Sequence, residues 1–274
     1  PRAGEVLVET RAAGICHSDG YYRADPSRTT VPRTLGHEIA GVIAGTQRRV
    51  ALHYLLPNGG MLGKEVDGGY AQKIVVPGEN AIPIPDRVSF EEAAIMMCST
   101  ATAHHALRLA SLQRGESLTI LGFGGLGISA LQLARKSGAA AVNVVERVPE
   151  KLDVALSLGA KRDIGSPDVV LDFAGNAELT LRALRALKPG GRLMLVAIHL
   201  RDMRFDPYAD VLTKERRIIG VSDHTPEELR EVLNMGLDLS PAITRRVPLD
   251  ADAINAALDD LDRGTPHLRS VIVQ

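Results

Sequence analysis

Residues 117–137 read SLTILGFGGLGISALQLARKS and join a short apolar run to a glycine-rich turn and a helical pattern. The turn has the form G-x-G-x-x-G, and its candidate ligand-binding positions are Gly122, Gly124, Gly125, Leu126 and Gly127. Small residues let the backbone approach a pyrophosphate closely, and the start of the following helix supplies N–H donors and a positive dipole end. Because the motif stands between a strand and a helix, it predicts dinucleotide binding. A tight structural turn is the alternative.

A carboxylate occurs at the sequence position expected to contact the adenosine ribose of a bound dinucleotide. The next apolar run, AVNVVE at 141–146, ends at Glu146, nineteen residues after Gly127. A carboxylate in that position accepts hydrogen bonds from ribose hydroxyls, and it repels a 2′-phosphate. The sequence therefore favours NAD over NADP, although the adjacent Arg147 weakens the preference. The alternative for Glu146 is an ordinary surface side chain.

Strands and helices alternate beyond residue 117, which predicts a parallel sheet with helices on both faces. Pro149 begins a helix that ends near Gly159, and DVVLDFAG at 168–175 reads as the following strand. One connection is too short, because only residues 165–167 separate that strand from a plausible strand before it. Neighbouring parallel strands need a crossover of about a dozen residues. Either the earlier segment is not a sheet strand, or the sequence lacks internal residues.

The first hundred residues have a β pattern instead. Short β-branched runs at 6–9, 39–44, 50–52 and 71–76 are bounded by Gly or Pro, as strands are. A helix is predicted from Phe90, after Ser89 as its N-cap. A second helix start is predicted at residues 225–228, TPEE, which form a capping box with Pro at the first helical position.

Composition excludes several classes of protein. The 274 residues carry 32 basic and 33 acidic side chains, a net charge of −1, so no clustered basic excess marks a nucleic-acid-binding protein. Two cysteines cannot build a disulfide scaffold and indicate a reducing compartment. No apolar run reaches the length of a membrane-spanning helix, and PRAGEVLVET at the start does not read as a signal peptide. We expect a soluble cytoplasmic α/β protein that binds no nucleic acid or membrane.

Cys16, His37 and Cys98 form a candidate metal site. Two thiolates and an imidazole with an open fourth position are typical of catalytic zinc, and soft sulfur ligands select zinc over magnesium or calcium. The three residues are far apart in sequence, so spacing alone does not decide. Buried core cysteines and a structural histidine explain them equally well.

Several motifs, in order, give the chain a family resemblance. The motifs are AAGICHSD (12–19), TLGHEIAGVI (34–43), DGGYAQKIVVP (67–77), AAIMMCSTATAHHAL (93–107), LGFGGLG (121–127) and HLRSVIV (267–273). Together they resemble the zinc-dependent alcohol dehydrogenases of the medium-chain dehydrogenase/reductase superfamily. The resemblance implies an α/β chain with a GroES-like β domain, residues 1–99 and 223–274, and a Rossmann-type doubly wound parallel-sheet domain, residues 100–222. It also implies that the cleft between the domains holds the zinc and the nicotinamide.

The resemblance assigns roles to individual residues. Cys16, His37 and Cys98 become the zinc ligands. Ser18 takes the position of the hydroxyl that relays the proton, and Asp19 takes that of the carboxylate that orients the imidazole of His37.

Four further residues receive roles from the same resemblance. Glu38 follows the ligand histidine and in relatives lies close to the metal. Thr102 matches a position near the nicotinamide carboxamide, and His17 and Arg269 match positions that meet the pyrophosphate. A solvated surface charge is the alternative for His17 and Arg269.

The chain also departs from the family. Many relatives carry a lobe with four cysteines that binds a structural zinc, which would fall between Tyr54 and Gly63, where this sequence has only LLPNGGML. Relatives often place a histidine where this chain has Tyr21. Tyrosine is a poor base because its usual pKa is near 10, so the sequence does not identify the route by which the proton reaches solvent. The chain is short at 45–48, 57–60, 165–167 and 234–236, which indicates either omitted segments or a shortened enzyme.

These observations predict a zinc-dependent oxidoreductase that transfers hydride reversibly between an alcohol and NAD, giving an aldehyde or ketone. One catalytic zinc is expected, and no structural zinc. A homo-oligomer, dimer or tetramer, is expected from the resemblance. The alternatives are a polyol dehydrogenase, an NADPH-linked carbonyl reductase, or a non-catalytic nucleotide-binding relative.

Overall fold

A computed structural model describes residues 1–264 and 267–274 of the chain. These residues divide into two compact units. The first unit consists of residues 1–101 and 224–274, and the second unit consists of residues 102–223. Within these ranges no helix has both the length and the apolarity needed to cross a membrane.

The regular elements are numbered in chain order. The strands are β1 (Glu5–Ile15), β2 (Glu38–Ile43), β3 (Arg49–Leu52), β4 (Lys73–Pro77), β5 (Ala81–Pro83), β6 (Ser117–Leu121), β7 (Ala141–Val145), β8 (Lys161–Arg162), β9 (Val169–Asp172), β10 (Arg192–Leu195), β11 (Arg217–Gly220), β12 (Ile243–Pro248) and β13 (Arg269–Val273). The α-helices are α1 (His17–Ala24), α2 (Phe90–Ile95), α3 (Ala101–Leu109), α4 (Gly125–Lys136), α5 (Pro149–Ser157), α6 (Ala177–Ala186), α7 (Pro226–Asn234) and α8 (Ala251–Arg263).

The first unit is built on a seven-stranded sheet in which β1 is the longest strand. The order is β12-β13-β1-β2-β3-β5, and β4 also pairs with β1. The last strand, β13, runs antiparallel to β1, with Ser270 opposite Ile15. On the other side of β1, Gly14 lies opposite Glu38 of β2. The register therefore brings the two ends of the chain together beside Cys16.

Helix α8 covers part of this sheet. Its buried side chains Ile254, Ala257 and Leu258 pack in one cluster with apolar residues of β1, β12 and β13. The helix begins at Asp250, whose side chain accepts from Ala253 N–H, and ends at Gly264, which has the positive φ typical of that position. It packs against β1, the strand that ends directly before Cys16.

The second unit contains a six-stranded parallel sheet in the order β11-β10-β9-β6-β7-β8. The predicted parallel sheet and the Rossmann-type topology are therefore confirmed. Strand β6 lies in the middle, with β7 and then β8 on one side and β9 on the other, so the order in which strands are added to the sheet reverses between β6 and β9. Ligands of such sheets bind beyond the carboxyl ends of the strands at that reversal. In this chain those ends are Leu121 and Asp172.

The short connection noted in the sequence joins two strands that are not neighbours. Strand β8 contains only two residues and pairs with β7 at one edge of the sheet, whereas β9 pairs with β6. Three strand spacings separate them, about 14 Å, and six residues in extended conformation can span about 20 Å. The link runs past Thr119, whose hydroxyl donates to Ile164 O at 2.6 Å. The earlier segment is thus a sheet strand, and its link contains no helix.

The two predicted helix caps are confirmed. Ser89 caps α2, and Thr225 caps α7, each with the reciprocal bond of a capping box. The helix from Phe90 does not continue as a regular α-helix, because a π-helical turn, residues 96–100, follows Ile95. Such turns are rare and often mark functional sites. This one contains Cys98.

Candidate metal centre and nucleotide site

Four metal-binding side chains come together in the first unit. One donor atom each from Cys16, His37, Glu38 and Cys98 lies within 4.8 Å of every other. Cys16, His37 and Glu38 are buried, and Cys98 is partly buried. Residues separated by up to 82 positions in the sequence thus surround one point.

Three of the four donors stand at an element boundary. Cys16 lies between β1 and α1, His37 directly precedes β2, and Glu38 is its first residue. Cys98 is the middle residue of the π-helical turn. Four side chains from three separate segments of the chain thus converge on one point.

The two thiols lie side by side and shift each other's pKa in opposite directions. A hydrogen bond from Cys98 lowers the pKa of Cys16 well below its usual value despite burial, and His37 lowers it further. The same hydrogen bond, with burial, raises the pKa of Cys98. A cation placed between the two thiols would favour deprotonation of both, because thiolates are the metal-binding form.

The imidazole of His37 is held by Asp19. Its Nδ1–H donates to Asp19 Oδ1 at 3.1 Å, and Asp19 is fully buried. Burial alone lowers the pKa of His37, but the charge and hydrogen bond of Asp19, together with Cys16, outweigh burial and raise that pKa well above its usual value. The bond leaves Nε2 of His37 for another partner. This is the arrangement that orients metal-bound histidines in proteins.

Glu38 forms a buried ion pair with Arg269. The guanidinium Nη2 donates to Glu38 Oε2, and Arg269 is 6% exposed. Burial raises the pKa of Glu38 to about 7, and the charge of Arg269 opposes the rise. Burial also opposes the charge of Arg269, but Glu38 raises the pKa of Arg269 above its usual value. Arg269 is therefore not a solvated surface charge.

The donor set fits a zinc ion. The second oxygen of Glu38, Oε1, is buried and has no hydrogen-bond partner among the described residues. An orphaned carboxylate oxygen beside two sulfurs and an imidazole is costly unless something binds it. Two sulfurs, one nitrogen and one oxygen are donors that zinc accepts, and the sulfurs disfavour magnesium and calcium. Cys16, His37 and Cys98 would hold zinc, with Glu38 at the fourth position.

Other predicted residues lie around this cluster. Ser18 is partly buried, and its Oγ lies 3.7 Å from Cys16 Sγ. His17 is exposed at the start of α1, and Tyr21 is partly buried. The relay position of Ser18 is thus beside a candidate ligand, whereas His17 faces solvent.

Three aromatic rings, to which the sequence assigned no definite role, pack beside the metal-binding side chains. The ring of Tyr54 meets His37 edge-on at 5.5 Å between centroids and stacks on His53 at 5.7 Å. His224 contacts both rings edge-on. These three buried rings pack together on one side of the candidate ligand His37.

The glycine turn of the second unit has the geometry that close backbone approach requires. Gly122 has φ of +85°, a conformation that L-residues with side chains rarely adopt. A Cβ on Gly127 would lie 2.7 Å from Gly122 O, so only glycine fits where the helix meets the strand. A Cβ on Gly124 would have nothing within 4 Å, which leaves open space at the start of α4. The turn fits a pyrophosphate.

Glu146 is tied to that turn. Its Oε2 accepts from Phe123 N–H at 2.7 Å, and its Oε1 accepts from Arg147 N–H and Val148 N–H at 2.7 and 2.9 Å. The bonds fix the carboxylate at the carboxyl end of β7. Lys151, which the sequence reasoning missed, lies near enough that Glu146 raises its pKa, although burial dominates and lowers it.

Thr102 lies in α3 and is buried at 7% exposure. Arg147 is exposed. Asp172, at the end of β9, accepts from Thr180 Oγ1–H at 2.6 Å and from His199 Nε2–H at 2.8 Å. The glycine turn and Glu146 follow the carboxyl ends of the adjacent strands β6 and β7 and are joined by a hydrogen bond.

Comparison with known proteins agrees with both halves of this arrangement. Residues 2–86 match the family model described as alcohol dehydrogenase GroES-like domain. Residues 125–238 match the family model described as zinc-binding dehydrogenase.

Individual relatives match nearly the whole chain. An alcohol dehydrogenase of Geobacillus stearothermophilus is 30% identical over an alignment of 313 positions, which covers 98% of this chain and 92% of the relative. An NAD-dependent alcohol dehydrogenase of Sulfolobus acidocaldarius is 28% identical, with the same coverage of 98% and 92%. Acetophenone reductase from Geotrichum candidum, solved in complex with NAD, has a TM-score of 0.85 and 25% identity over 99% of this chain and 90% of that one.

The alignment to the Geobacillus enzyme extends over more positions than the 274 residues of this chain. That relative therefore contains internal segments that this chain lacks. The helix-free link between β8 and β9 is one place where such a segment would fit. The fold, the gathered donor set and the matches over both units lead to one conclusion. The chain belongs to the zinc-type alcohol dehydrogenases of the medium-chain dehydrogenase/reductase superfamily, and it is an oxidoreductase.

Proposed function

We propose that the protein is a zinc-dependent and NAD-dependent alcohol dehydrogenase, which oxidises primary or secondary alcohols to aldehydes or ketones and catalyses the reverse reaction. The observation that carries the proposal is the convergence of Cys16, His37 and Cys98 with the orphaned oxygen of Glu38. A chain that had lost catalysis would have no reason to keep two thiols and an imidazole around one buried point. The convergence of these side chains therefore disfavours a non-catalytic nucleotide-binding relative.

Zinc in this position supplies Lewis acidity, the property that makes an alcohol hydroxyl acidic near neutral pH and polarises a carbonyl group. Asp19 keeps the Nδ1–H tautomer of His37 and so directs Nε2 toward the ion. The carboxylate of Glu38, whose charge is paired with Arg269, could approach or leave the fourth coordination position of the zinc. No second, structural zinc is proposed, because both cysteines of the chain belong to this one site.

Ser18 would take the proton of the alcohol. Its hydroxyl lies beside Cys16, and a hydroxyl can accept one proton while it donates another. Tyr21 stands one helical turn further along α1, where many relatives have histidine, and a neutral tyrosine hydroxyl can extend a hydrogen-bonded path. The buried rings of His53 and Tyr54 would exclude water from the reacting carbon.

The second unit would bind the cofactor. The turn at 122–127 offers N–H donors to the pyrophosphate. The carboxylate of Glu146 would accept from the ribose hydroxyls and repel a 2′-phosphate, which favours NAD. Arg147 and Lys151 are cations beside Glu146, and they favour an NADPH-linked carbonyl reductase as the second candidate function. Thr102, His17 and Arg269 are proposed contacts of the nicotinamide half and the pyrophosphate.

We propose a homo-oligomer, which the second unit supports. Strand β11 is the last strand of its sheet, so one of its edges has no strand beside it among the described residues. The preceding segment exposes Leu200, Phe205, Tyr208 and Leu212, at 62%, 36%, 68% and 65%. A second copy would bury this apolar surface. We also propose domain boundaries after residues 99 and 222, within two residues of the division into compact units.

A panel of alcohols and polyols, assayed with NAD and with NADP, tests the proposal. We expect turnover of simple primary or secondary alcohols, with kcat/KM higher for NAD than for NADP. Turnover of polyols alone would favour a polyol dehydrogenase, and a preference for NADP would favour the carbonyl reductase. Zinc-loaded protein that binds NADH but turns over no alcohol or carbonyl compound would contradict the proposal.

A further inference from the structure

Tyr70 is joined to the candidate metal centre through a single hydrogen-bonded chain. Its hydroxyl donates to Asp19 Oδ2 at 2.9 Å, and Asp19 Oδ1 accepts from His37 Nδ1–H at 3.1 Å. We propose that Tyr70 is a positioning residue for the metal, which acts through Asp19 to fix the imidazole of His37. The proposal rests on the proposed function, because it requires that His37 binds zinc.

Asp19 is fully buried, so it depends on protein donors alone. Oδ2 accepts from Cys16 N–H at 3.0 Å and from the Tyr70 hydroxyl, and Oδ1 faces His37. A buried carboxylate is costly unless several donors satisfy it. The three donors also fix the plane of the carboxyl group, and that plane sets the direction in which His37 points.

Tyr70 is held by the same stretch of backbone that carries His37. Tyr70 N–H donates to Leu35 O at 3.0 Å, and Gly69 N–H donates to Gly36 O at 2.7 Å. Gly36 has φ of +95°, and its missing Cβ leaves the space that the Tyr70 ring occupies. Ring and ligand are therefore parts of one rigid loop pair, and the hydroxyl reaches Asp19 without a flexible linker.

The ring and the hydroxyl of Tyr70 have different roles, and the two roles can be tested separately. The ring fills the space over Gly36, which is packing, and the oxygen completes the donors to Asp19. Replacement by phenylalanine keeps the ring and removes only the oxygen. Asp19 Oδ2 then keeps one donor, Cys16 N–H, and the carboxyl group can turn away from His37.

Zinc affinity of the Tyr70→Phe variant tests the proposal. We expect the dissociation constant for zinc, measured by competition with a chromogenic chelator, to rise about tenfold, the lower end of the range for partners that orient metal-bound histidines. Tyr22→Phe is the matched control, because Tyr22 also lies near this site and its hydroxyl points to Met61 Sδ at 4.0 Å instead. Its dissociation constant should stay within about twofold of the parent. An unchanged dissociation constant for Tyr70→Phe would overturn the proposal.

A double-mutant cycle distinguishes positioning from packing. If Tyr70 acts through Asp19, then Tyr70→Phe should alter zinc affinity by less than about twofold in an Asp19→Asn background. Additive losses would overturn the proposal. Absorption spectra of the cobalt-substituted proteins give a second measure, since the ligand-field bands respond to the orientation of the imidazole. We expect Tyr70→Phe to shift these bands and Tyr22→Phe to leave them in place; identical spectra for both variants would contradict the mechanism.

The measurement also separates this inference from the proposed function. If the parent protein binds no zinc, the proposed function fails and the inference fails with it. If the parent binds zinc and Tyr70→Phe binds it equally well, only the inference fails.

Discussion

The guanidinium of Arg269, at the start of the last strand, pairs with the carboxylate of Glu38, at the start of the second strand, in the buried interior of the first unit. Their separation in sequence is 231 residues. The pair is formed because β13 and β2 flank β1 on opposite sides at the same level. The charge of each residue offsets the cost of burying the other.

Removal of one partner should therefore be costly. We expect Arg269→Ala to lower the free energy of unfolding of the metal-free protein by about 3 kcal/mol, since it leaves Glu38 buried without its cation. The double variant Glu38→Gln, Arg269→Met should recover much of this loss, because no unpaired charge remains. Urea denaturation of the three proteins measures the difference. Equal stability of Arg269→Ala and the parent would show that the pair contributes nothing.

The ion pair of Glu38 and Arg269 occupies the space next to Gly14 that a side chain would need. A Cβ at residue 14 would overlap the carboxylate of Glu38 and lie 3.1 Å from Arg269 Nη2. We expect Gly14→Ala to destabilise the protein by about 1–3 kcal/mol, the range for overpacking. Gly220→Ala is the matched control, because Gly220 also lies in a strand and a Cβ there would have nothing within 4 Å. Thermal unfolding that shifts equally for both variants would contradict the crowding argument.

The pair Glu116 and Arg192 makes stability depend on pH. Hydrogen bonds from Arg192, 2.6 and 2.8 Å long, lower the pKa of Glu116. A carboxylate whose pKa is lowered by folding stabilises the protein above its unfolded pKa, about 4.3, and loses that contribution as the pH falls through the folded pKa.

Replacement of Glu116 should lower stability near neutral pH and have less effect in acid. We expect Glu116→Gln to cost about 1 kcal/mol at pH 7, and the difference from the parent should shrink below about pH 4. Denaturant titrations at several pH values measure it, with Glu215→Gln, an exposed position, as the control. A difference that stays constant from pH 7 to pH 3 would argue that the charge of Glu116 is not responsible.

Cofactor preference should respond to Glu146. We expect Glu146→Gln, which removes the charge and keeps one of the two acceptor oxygens, to raise the ratio of NADPH to NADH affinity at least about tenfold. Glu150→Gln, an exposed residue of α5, should leave the ratio unchanged. The fluorescence of bound NADH and NADPH provides the readout. Parent protein that already prefers NADPH would refute the assignment of Glu146.

Local signals in the sequence predicted much of this fold. The glycine turn at 122–127 and the caps Ser89 and Thr225 depend on neighbouring residues, so their spacing is visible in the sequence. Cys16, His37 and Cys98 were identified as candidate ligands, but spacing alone could not separate a metal site from a buried core. Only the fold brings them within 4.8 Å of one another.

The remaining features depend on long-range contacts or unusual backbone. The π-helical turn at 96–100 has no sequence period of its own, so the sequence did not predict the backbone that carries Cys98. The hydroxyl of Tyr70 reaches Asp19 across 51 residues, and the pairing of Arg269 is longer still. The link between β8 and β9 was unexpected because a crossover helix is the rule for neighbouring parallel strands, and these strands are not neighbours.

The zinc content of the purified protein tests the central claim most directly. Elemental mass spectrometry of the native chain and of Cys98→Ser, each purified without chelators, gives the metal-to-protein ratio. The account predicts about one zinc per chain in the native protein and a large loss in Cys98→Ser, since three protein ligands hold a catalytic zinc. Native protein that is correctly folded, binds NADH and contains no zinc would contradict it.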